Sequence, residues 1–88
     1  MSASLRFNDA LLIADRAFRP LQCIAWAPQD GNGELNISLV DRSRSLLGRT
    51  RLPSSTYSDP LRLEEELQRS RQELIERGVV LEPWRMPA

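Results

Sequence analysis

Apolar residues near the start of the chain recur at the spacing of one helix face. The recurring positions are Ala10, Ile13, Ala14, Ala17 and Phe18. Asn8 and Asp9 precede them with side chains typical of a helix cap, and Pro20 disfavours helical backbone in the residue before it. The pattern predicts a helix over residues 9–18. A strand built on the apolar run 10–14 is the alternative, and the sequence leaves it open.

Three segments in the middle of the chain have the patterns of β-strands. Residues 21–27 are apolar on both faces, residues 35–39 alternate between apolar and polar, and residues 46–52 form a third such segment. Residues 28–33, with the sequence Pro-Gln-Asp-Gly-Asn-Gly, give the clearest turn signal, and residues 41–45 make a second turn. The order predicts an antiparallel β-meander.

The best-defined element is a helix near the end of the chain. Asp59 is a suitable N-cap, Pro60 suits the first helical position, and Gly78 is a natural residue to end the helix. Its apolar stripe consists of Leu63, Leu67, Leu74 and Ile75, with Leu61 at the edge. Residues 79–81 are apolar enough to add a short edge strand, so the sheet is predicted to have three or four strands.

The chain is therefore predicted to be a single α+β domain spanning residues 1–88. A three- to four-stranded antiparallel sheet is packed by the C-terminal amphipathic helix and by the N-terminal helix. Residues 1–7 and 85–88 are expected to be loose termini. A chain of 88 residues buries only about 60–65% of its unfolded surface, and small domains often compensate by self-association. We therefore expect a homodimer.

The residue types exclude most catalytic chemistry. The chain has no histidine and no lysine, so its twelve basic residues are all arginines. Arginine cannot release its proton near neutral pH, and the usual proton carrier and amine nucleophile are missing. Exclusive use of arginine fits codon bias in a GC-rich genome, which points to a bacterial source. Selection for forked hydrogen bonding is the alternative.

Two further features could carry chemistry, and each has a simpler explanation. Cys23 lies among apolar residues with no histidine to lower its pKa, so it is predicted to be a small buried side chain rather than a nucleophile. A single cysteine also cannot supply the roughly four ligands of a structural zinc site. Glu64, Glu65 and Glu66 point about 100° apart on a helix and do not converge on one cation. We predict no enzyme, catalytic residue, metal or cofactor.

An arginine cluster is the main positive candidate for a binding surface. Its members are Arg42, Arg44, Arg49 and Arg51. Strict alternation places Leu47 on one face of the third strand with Arg49 and Arg51, and places Leu46, Gly48, Thr50 and Leu52 on the other. Such arginines can grip phosphates or carboxylates, or they can pair with the acidic last helix of the same or another subunit. Residues 1–56 hold seven arginines against five acidic residues, so polyanion binding is expected to be weak and salt-sensitive.

Two tryptophans complete the candidate surface. Trp26 belongs to the first strand, on the face opposite Cys23. Trp84 lies in a segment flanked by Pro83 and Pro87 and can pack on its own domain or on a partner. The former is the favoured interpretation in a chain with so small a core.

Cellular location and membrane contact are constrained only by composition. The formal net charge is zero and the single cysteine is typical of a reducing cytoplasm. No signal segment is recognisable, and no apolar run is longer than the five residues of 10–14, far fewer than the roughly 18–20 residues of a membrane span. We expect a cytoplasmic protein without membrane contact.

The predicted order of helix, strands and helix is similar to that of two small folds. It resembles the double-stranded RNA-binding domain, but residues 59–66 are acidic where that family carries lysines to touch phosphates. Residues 30–33 and 78–83 are similar in placement to the turn and tail of the small HicB-like antitoxin fold, a likeness that covers about residues 21–83. Both are likenesses of topology, which assign neither family nor function.

The sequence thus favours a non-enzymatic interaction or regulatory module. It is expected to self-associate through a sheet edge, Trp26 or the last helix, and to bind a further protein partner whose identity the sequence leaves open. The alternative is a weak binder of nucleic acid or acidic ligands through the arginine cluster. An enzyme is the third and least favoured class.

Overall fold

A computed structural model describes residues 5–26 and 34–87. Its elements, in chain order, are α1 (Phe7–Ala17), β1 (Gln22–Trp26), β2 (Leu35–Val40), β3 (Leu46–Leu52), α2 (Ser54–Tyr57) and α3 (Pro60–Glu76). The strands form one antiparallel sheet in the order β1-β2-β3. The predicted α+β class and β-meander are confirmed. The predicted turn at residues 28–33 lies outside the described residues.

All of the core lies on one side of the sheet. α1 packs against β1 and α3, and α3 packs against β3. The large side chains that are fully buried are Phe18, Leu35, Ile37, Leu39, Leu52, Leu63 and Leu67. From Leu35 to Leu39 the side chains of β2 alternate between this core and the opposite face, as the sequence pattern predicted, and Val40 at the end of the strand is also buried. The result is one sheet with a helical layer on one face.

The first segment is a helix, and it begins earlier than the sequence pattern indicated. Asp9 lies inside α1, where its carboxylate accepts a hydrogen bond from the backbone N–H of Arg6 at 3.3 Å. Phe7 packs edge-to-face on Tyr57, and the N–H of Leu5 donates to the Ser58 carbonyl. Residues 5–7 are therefore tied to the domain, in contrast to the loose start predicted for residues 1–7. Residues 1–4 lie outside the described residues.

The predicted faces of β3 are wrong at its first two residues. Leu39 pairs with Gly48 while Val40 pairs with Leu46, so the register shifts by one residue. Leu47 consequently packs toward the core, and Leu46 is left 50% exposed. Beyond the shift the predicted alternation holds, with Thr50 buried and Arg49 exposed.

Both ends of α3 follow the sequence signals. The Asp59 carboxylate accepts from the Leu61 N–H at 3.0 Å, and Pro60 is the first helical residue. Gly78 has a φ of +93°, and the N–H groups of Gly78 and Val79 donate to carbonyls in the last helical turn. This double bonding is the Schellman ending that glycine favours.

The interior of α3 and the segment after it differ from the prediction. Ile75 is 44% exposed and does not belong to the buried stripe, whereas Arg71 is buried. Residues 79–81 form no fourth strand. Instead residues 79–87 continue without regular secondary structure as a segment, hereafter the C-terminal strap, in which the Glu82 N–H donates to the Arg19 carbonyl at 2.8 Å. Met86 of the strap packs against the core, although residues 85–88 were predicted to be loose.

Candidate functional site

The face of the sheet opposite the helices carries most of the candidate binding residues. Two cross-strand rows lie on it, each with one residue from every strand. The first row is Ile24, Ser38 and Arg49, and the second is Trp26, Asn36 and Arg51. Directly opposed residues in such rows have Cβ atoms about 4.5–5.5 Å apart. We call these six residues the open face.

The open face is accessible in the part of the chain that the structure describes. Ile24 is 47% exposed, the side chains of Arg49 and Arg51 are exposed, and no described helix packs on this side of the sheet. Leu46 is a second exposed apolar side chain near this face, and it lies on β3 beside the register shift. For Trp26 the structure gives the backbone position opposite Asn36, while its side chain lies outside the described part.

The two arginines of the open face have different partners. The Nε atom of Arg51 lies 3.4 Å from Oε1 of Glu34, and the arginine side chain remains 70% exposed. Arg49 forms no ion pair with any described residue. Neither arginine forms an ion pair with an acidic side chain of α3, although Arg49 lines a small cavity at the β3 edge together with Glu73. The predicted pairing with the acidic helix is thus not made within the chain among the described residues.

Arg42 and Arg44 do not join the other two arginines. They lie in the β2–β3 turn, where Oδ1 of Asp41 accepts bonds from the Ser43 hydroxyl and from two backbone N–H groups. These bonds, led by that of Ser43, hold the pKa of Asp41 below its ordinary value. Arg42 lines a shallow depression beside Pro20, at the end of the sheet. The structure therefore divides the predicted four-arginine cluster into a face pair and a turn pair.

Asn36 is a residue of the open face whose role the sequence did not indicate. Its Nδ2 atom is buried and is the one side-chain nitrogen or oxygen in the ranges 5–26 and 34–87 that is buried without a hydrogen-bond partner. A buried donor without a partner is costly, typically by about 1–3 kcal/mol. The alternating pattern of β2 shows that Asn36 faces away from the core, but it does not reveal this missing bond.

Trp84 packs on its own domain. Its ring lies over the guanidinium of Arg71, with 6.0 Å between the Arg71 Cζ atom and the ring centroid. Nη1 of Arg71 donates to the backbone carbonyl of Ala17, the last residue of α1. Leu81 and Met86 of the C-terminal strap pack on the same core. This is the alternative that the sequence favoured for Trp84, whereas the buried arginine beneath it was not foreseen.

Cys23 has the character of a buried structural thiol. Burial, with a smaller contribution from the charge of Asp15, raises the pKa of the Cys23 thiol to about 12. The Sγ atom lies 3.7 Å from the carbonyl oxygen of Ala14, to which it can donate. At neutral pH the thiol is protonated and unsuited to nucleophilic attack.

The described residues include neither a candidate metal-binding cluster nor a helix that could cross a membrane. No group of three or more acidic, cysteine or histidine side chains in residues 5–26 and 34–87 is arranged to hold a metal ion. Neither α1 nor α3, the longer helices described, combines the length and apolar character required to cross a membrane.

Comparison of the chain with protein-family models, with curated protein sequences and with solved structures gives no match. The functional argument therefore depends on the geometry of the open face and of the strand edges beside it.

Proposed function

We propose that this protein is a non-enzymatic interaction module that self-associates through the sheet, using the open face and its adjoining edge. The observation that carries the proposal is the open face, where apolar Ile24 is exposed with Arg49 and Arg51 and no helix among the described residues covers it, together with exposed Leu46 at the start of β3. This mixture suits an interface, since arginine is enriched at interfaces and their buried centres are more apolar than the rest of the surface. The proposal includes further protein partners. It also places the protein in a bacterial cytoplasm, because the chain has a single cysteine and all of its basic residues are arginines.

Two other observations support a role in binding rather than catalysis. The chain has neither histidine nor lysine, and the thiol of Cys23 is protonated at neutral pH. The small, one-sided core also leaves the domain short of the buried surface that larger domains obtain from a second layer. Association of two sheets would supply part of that surface.

Sedimentation of the purified chain across a concentration series tests self-association. We expect a monomer–dimer equilibrium that Ile24→Asp weakens about tenfold or more, because a buried carboxylate without a partner is strongly unfavourable. An equal loss with Leu46→Asp would mean that the interface extends across the open face to β3. Leu12→Asp on α1 and Leu61→Asp on α3 are matched controls, since both leucines are more than 60% exposed and lie on other surfaces.

The outcomes of this experiment separate the possible surfaces. A wild-type chain that is monomeric throughout the series contradicts self-association. A dimer that only Leu61→Asp weakens keeps the self-association but moves it to α3, one of the three surfaces that the sequence suggested.

A second candidate function is binding of nucleic acid or acidic ligands, and one observation favours it. Arg49 and Arg51 lie two residues apart on the same face of β3, and Arg49 has no acidic partner among the described residues. Two arginines whose Cα atoms are about 6.6 Å apart along a strand, with side chains on the same face, can contact successive anionic groups of a polymer.

The salt dependence of single-stranded RNA binding tests this second function. Replacing both Arg49 and Arg51 by alanine is expected to reduce the slope of log affinity against log salt by about 1.4, or 0.7 for each lost phosphate contact. The control replaces Arg62 and Arg69 on α3 by alanine, which removes the same charge from the other side of the molecule. Equal slopes for the two double variants would contradict a specific role of the open face.

A further inference from the structure

We propose that β1 pairs antiparallel with β1 of a second copy, so that two three-stranded sheets become one sheet of six strands. This inference rests on the proposed self-association and specifies its geometry. Within the surface proposed above, it assigns the contact between the two copies to the free edge of β1, which adjoins the open face at Ile24, and not to α3. The partner is a second copy of this chain.

The two outer edges of the sheet differ in how well they are protected against such pairing. β3 carries the charged Arg49 and Arg51, has a register shift near its start, and has the Leu47 carbonyl occupied by Nη1 of Arg77 at 3.1 Å. Charges, irregular register and side-chain cover are the devices by which proteins block unwanted strand addition. The β3 edge is therefore protected against the addition of another strand.

The β1 edge has none of these devices in the part of the chain that the structure describes. Its sequence, Gln-Cys-Ile-Ala-Trp, contains no charged residue, no proline and no glycine. The register of β1 with β2 is regular from Gln22 to Trp26, and no described backbone group outside β2 bonds to this strand. Backbone groups on an unpaired regular edge form a template for another strand, and here nothing discourages its use.

Apolar side chains flank the β1 edge above and below the sheet. Ile24 lies on the open side and is 47% exposed. On the helix side, Leu11 is half-buried and lies three residues before Ala14, whose carbonyl oxygen is 3.7 Å from Sγ of Cys23 in β1. Leu11 is therefore close to the part of α1 that packs on β1. Pairing of two β1 strands would remove both side chains from water, which adds a hydrophobic contribution to the backbone bonds.

Symmetry then fixes the arrangement of the two copies. A two-fold axis perpendicular to the sheet at the middle of a five-residue strand places Ile24 opposite Ile24 of the second copy. The same axis keeps both helical layers on one side. Both open faces then form one continuous surface on the other side, with the arginine pairs at its two ends.

Charge exchange at the central position tests the pairing. Ile24→Lys and Ile24→Glu should each lose the dimer, with a rise in its dissociation constant of about tenfold or more, because like charges would lie directly opposite each other. An equimolar mixture of the two variants should recover a heterodimer, since opposite charges then face each other. The matched control is the pair Leu12→Lys and Leu12→Glu on α1, for which no change is expected in any combination.

Disulfide trapping provides a second, independent measurement. In a Cys23→Ala background, Ile24→Cys should cross-link two chains on mild oxidation, because opposed residues of paired strands have the Cα separation that a disulfide needs. Gln22→Cys is the control. Its symmetry mate would lie four residues away along the strand, about 13 Å, and should not cross-link.

The possible results separate this inference from the proposed function. Heterodimer recovery together with a selective cross-link at position 24 supports β1 pairing. A dimer that persists in both Ile24 charge variants, with no preferential cross-link at position 24, overturns β1 pairing and leaves self-association through another surface. A wild-type chain that remains monomeric overturns both.

Discussion

At the scale of single residues, Arg71 makes contacts that join three separate segments. It is only 8% exposed, and its guanidinium donates to the carbonyl of Ala17, where the carbonyls at the end of α1 lack helical partners. The positive charge also lies at the negative end of the α1 dipole. The ring of Trp84 covers the guanidinium from the C-terminal strap. Desolvation lowers the pKa of Arg71, and arginine nonetheless remains charged at neutral pH.

Replacement of Arg71 by alanine is therefore expected to destabilise the fold substantially. The variant would leave the Ala17 carbonyl without its donor and remove the aliphatic stem that packs beneath Trp84. We expect urea unfolding to show a loss of about 2–4 kcal/mol. Arg62→Ala is the control, because Arg62 forms an exposed ion pair with Asp59, and a change within about 0.5 kcal/mol is expected there. Equal effects in the two variants would contradict the role given to Arg71.

The buried thiol of Cys23 predicts a specific loss of stability at alkaline pH. Its pKa rises from an ordinary value of 9.0 to about 12 in the folded chain. The unfolded chain therefore releases this proton first, and the native state loses stability as the pH rises from about 9 toward 12. Cys23→Ala should lack this component. Urea midpoints of the two proteins below and within the window give the measurement, and parallel pH profiles would show that the thiol does not ionise as inferred.

At the scale of elements, Gly78 and Gly48 differ in backbone conformation and in the space around them. Gly78 has a φ of +93°, and a Cβ built there meets no atom within 4 Å, so any cost of a side chain is conformational. A Cβ at Gly48 in β3 would lie 3.6 Å from Cδ2 of Leu74, which is ordinary van der Waals contact. The two positions therefore separate backbone strain from steric fit.

Alanine at these positions should have different effects on stability. We expect Gly78→Ala to cost about 1 kcal/mol, because an L-residue is strained in the left-handed conformation that ends α3. Gly48→Ala should be neutral or slightly stabilising, because alanine restricts the unfolded chain without a clash. Thermal and urea unfolding of both variants gives the comparison. A larger loss for Gly48→Ala would mean that the packing of α3 on β3 is tighter than its geometry indicates.

The elements were predictable where local chemistry determines them. Asp59, Pro60 and Gly78 marked both ends of α3, and the patterns of apolar and polar residues, alternating in β2 and apolar on both faces in β1, identified the three strands. The sequence missed features that depend on tertiary packing. Leu47 turns inward only because the register of β3 shifts, and Arg71 is buried only because Ala17 and Trp84 come together around it. Periodicity placed Ile75 in the buried stripe of α3 and left Arg71 out of it, since a charged residue is normally expected at the surface.

The candidate site was predictable in part for the same reason. Alternation correctly placed Arg49 and Arg51 on one face of β3, because side-chain direction along a regular strand is a local property. It could not separate them from Arg42 and Arg44, whose directions depend on the hydrogen-bonded turn around Asp41. The difference between the β3 edge, which is protected against strand addition, and the uncharged β1 edge could not be predicted either. It depends on the strand order, which makes β1 and β3 the two outer strands.

At the scale of the whole molecule, the C-terminal strap completes the helical layer. Partly buried Leu81, Trp84 and Met86 extend the core that α1 and α3 build, and Glu82 bonds to the Arg19 carbonyl. The strap thus adds apolar contacts on the helix side of the sheet and leaves the open face unchanged. Stability and binding are located on opposite sides of the sheet in the proposed arrangement.

Removal of the strap is therefore expected to weaken folding without a direct effect on β1 or the open face. A chain that ends after Val80 would lose three partly buried apolar side chains, worth about 1 kcal/mol each, and would expose Arg71. A loss of about 3 kcal/mol is large against the roughly 4–13 kcal/mol expected for a domain of this length. The urea midpoint should fall sharply in the truncated chain, and Val80→Ala should leave it unchanged because Val80 is 84% exposed. An unaltered midpoint after truncation would show that the strap packs on the core without stabilising it.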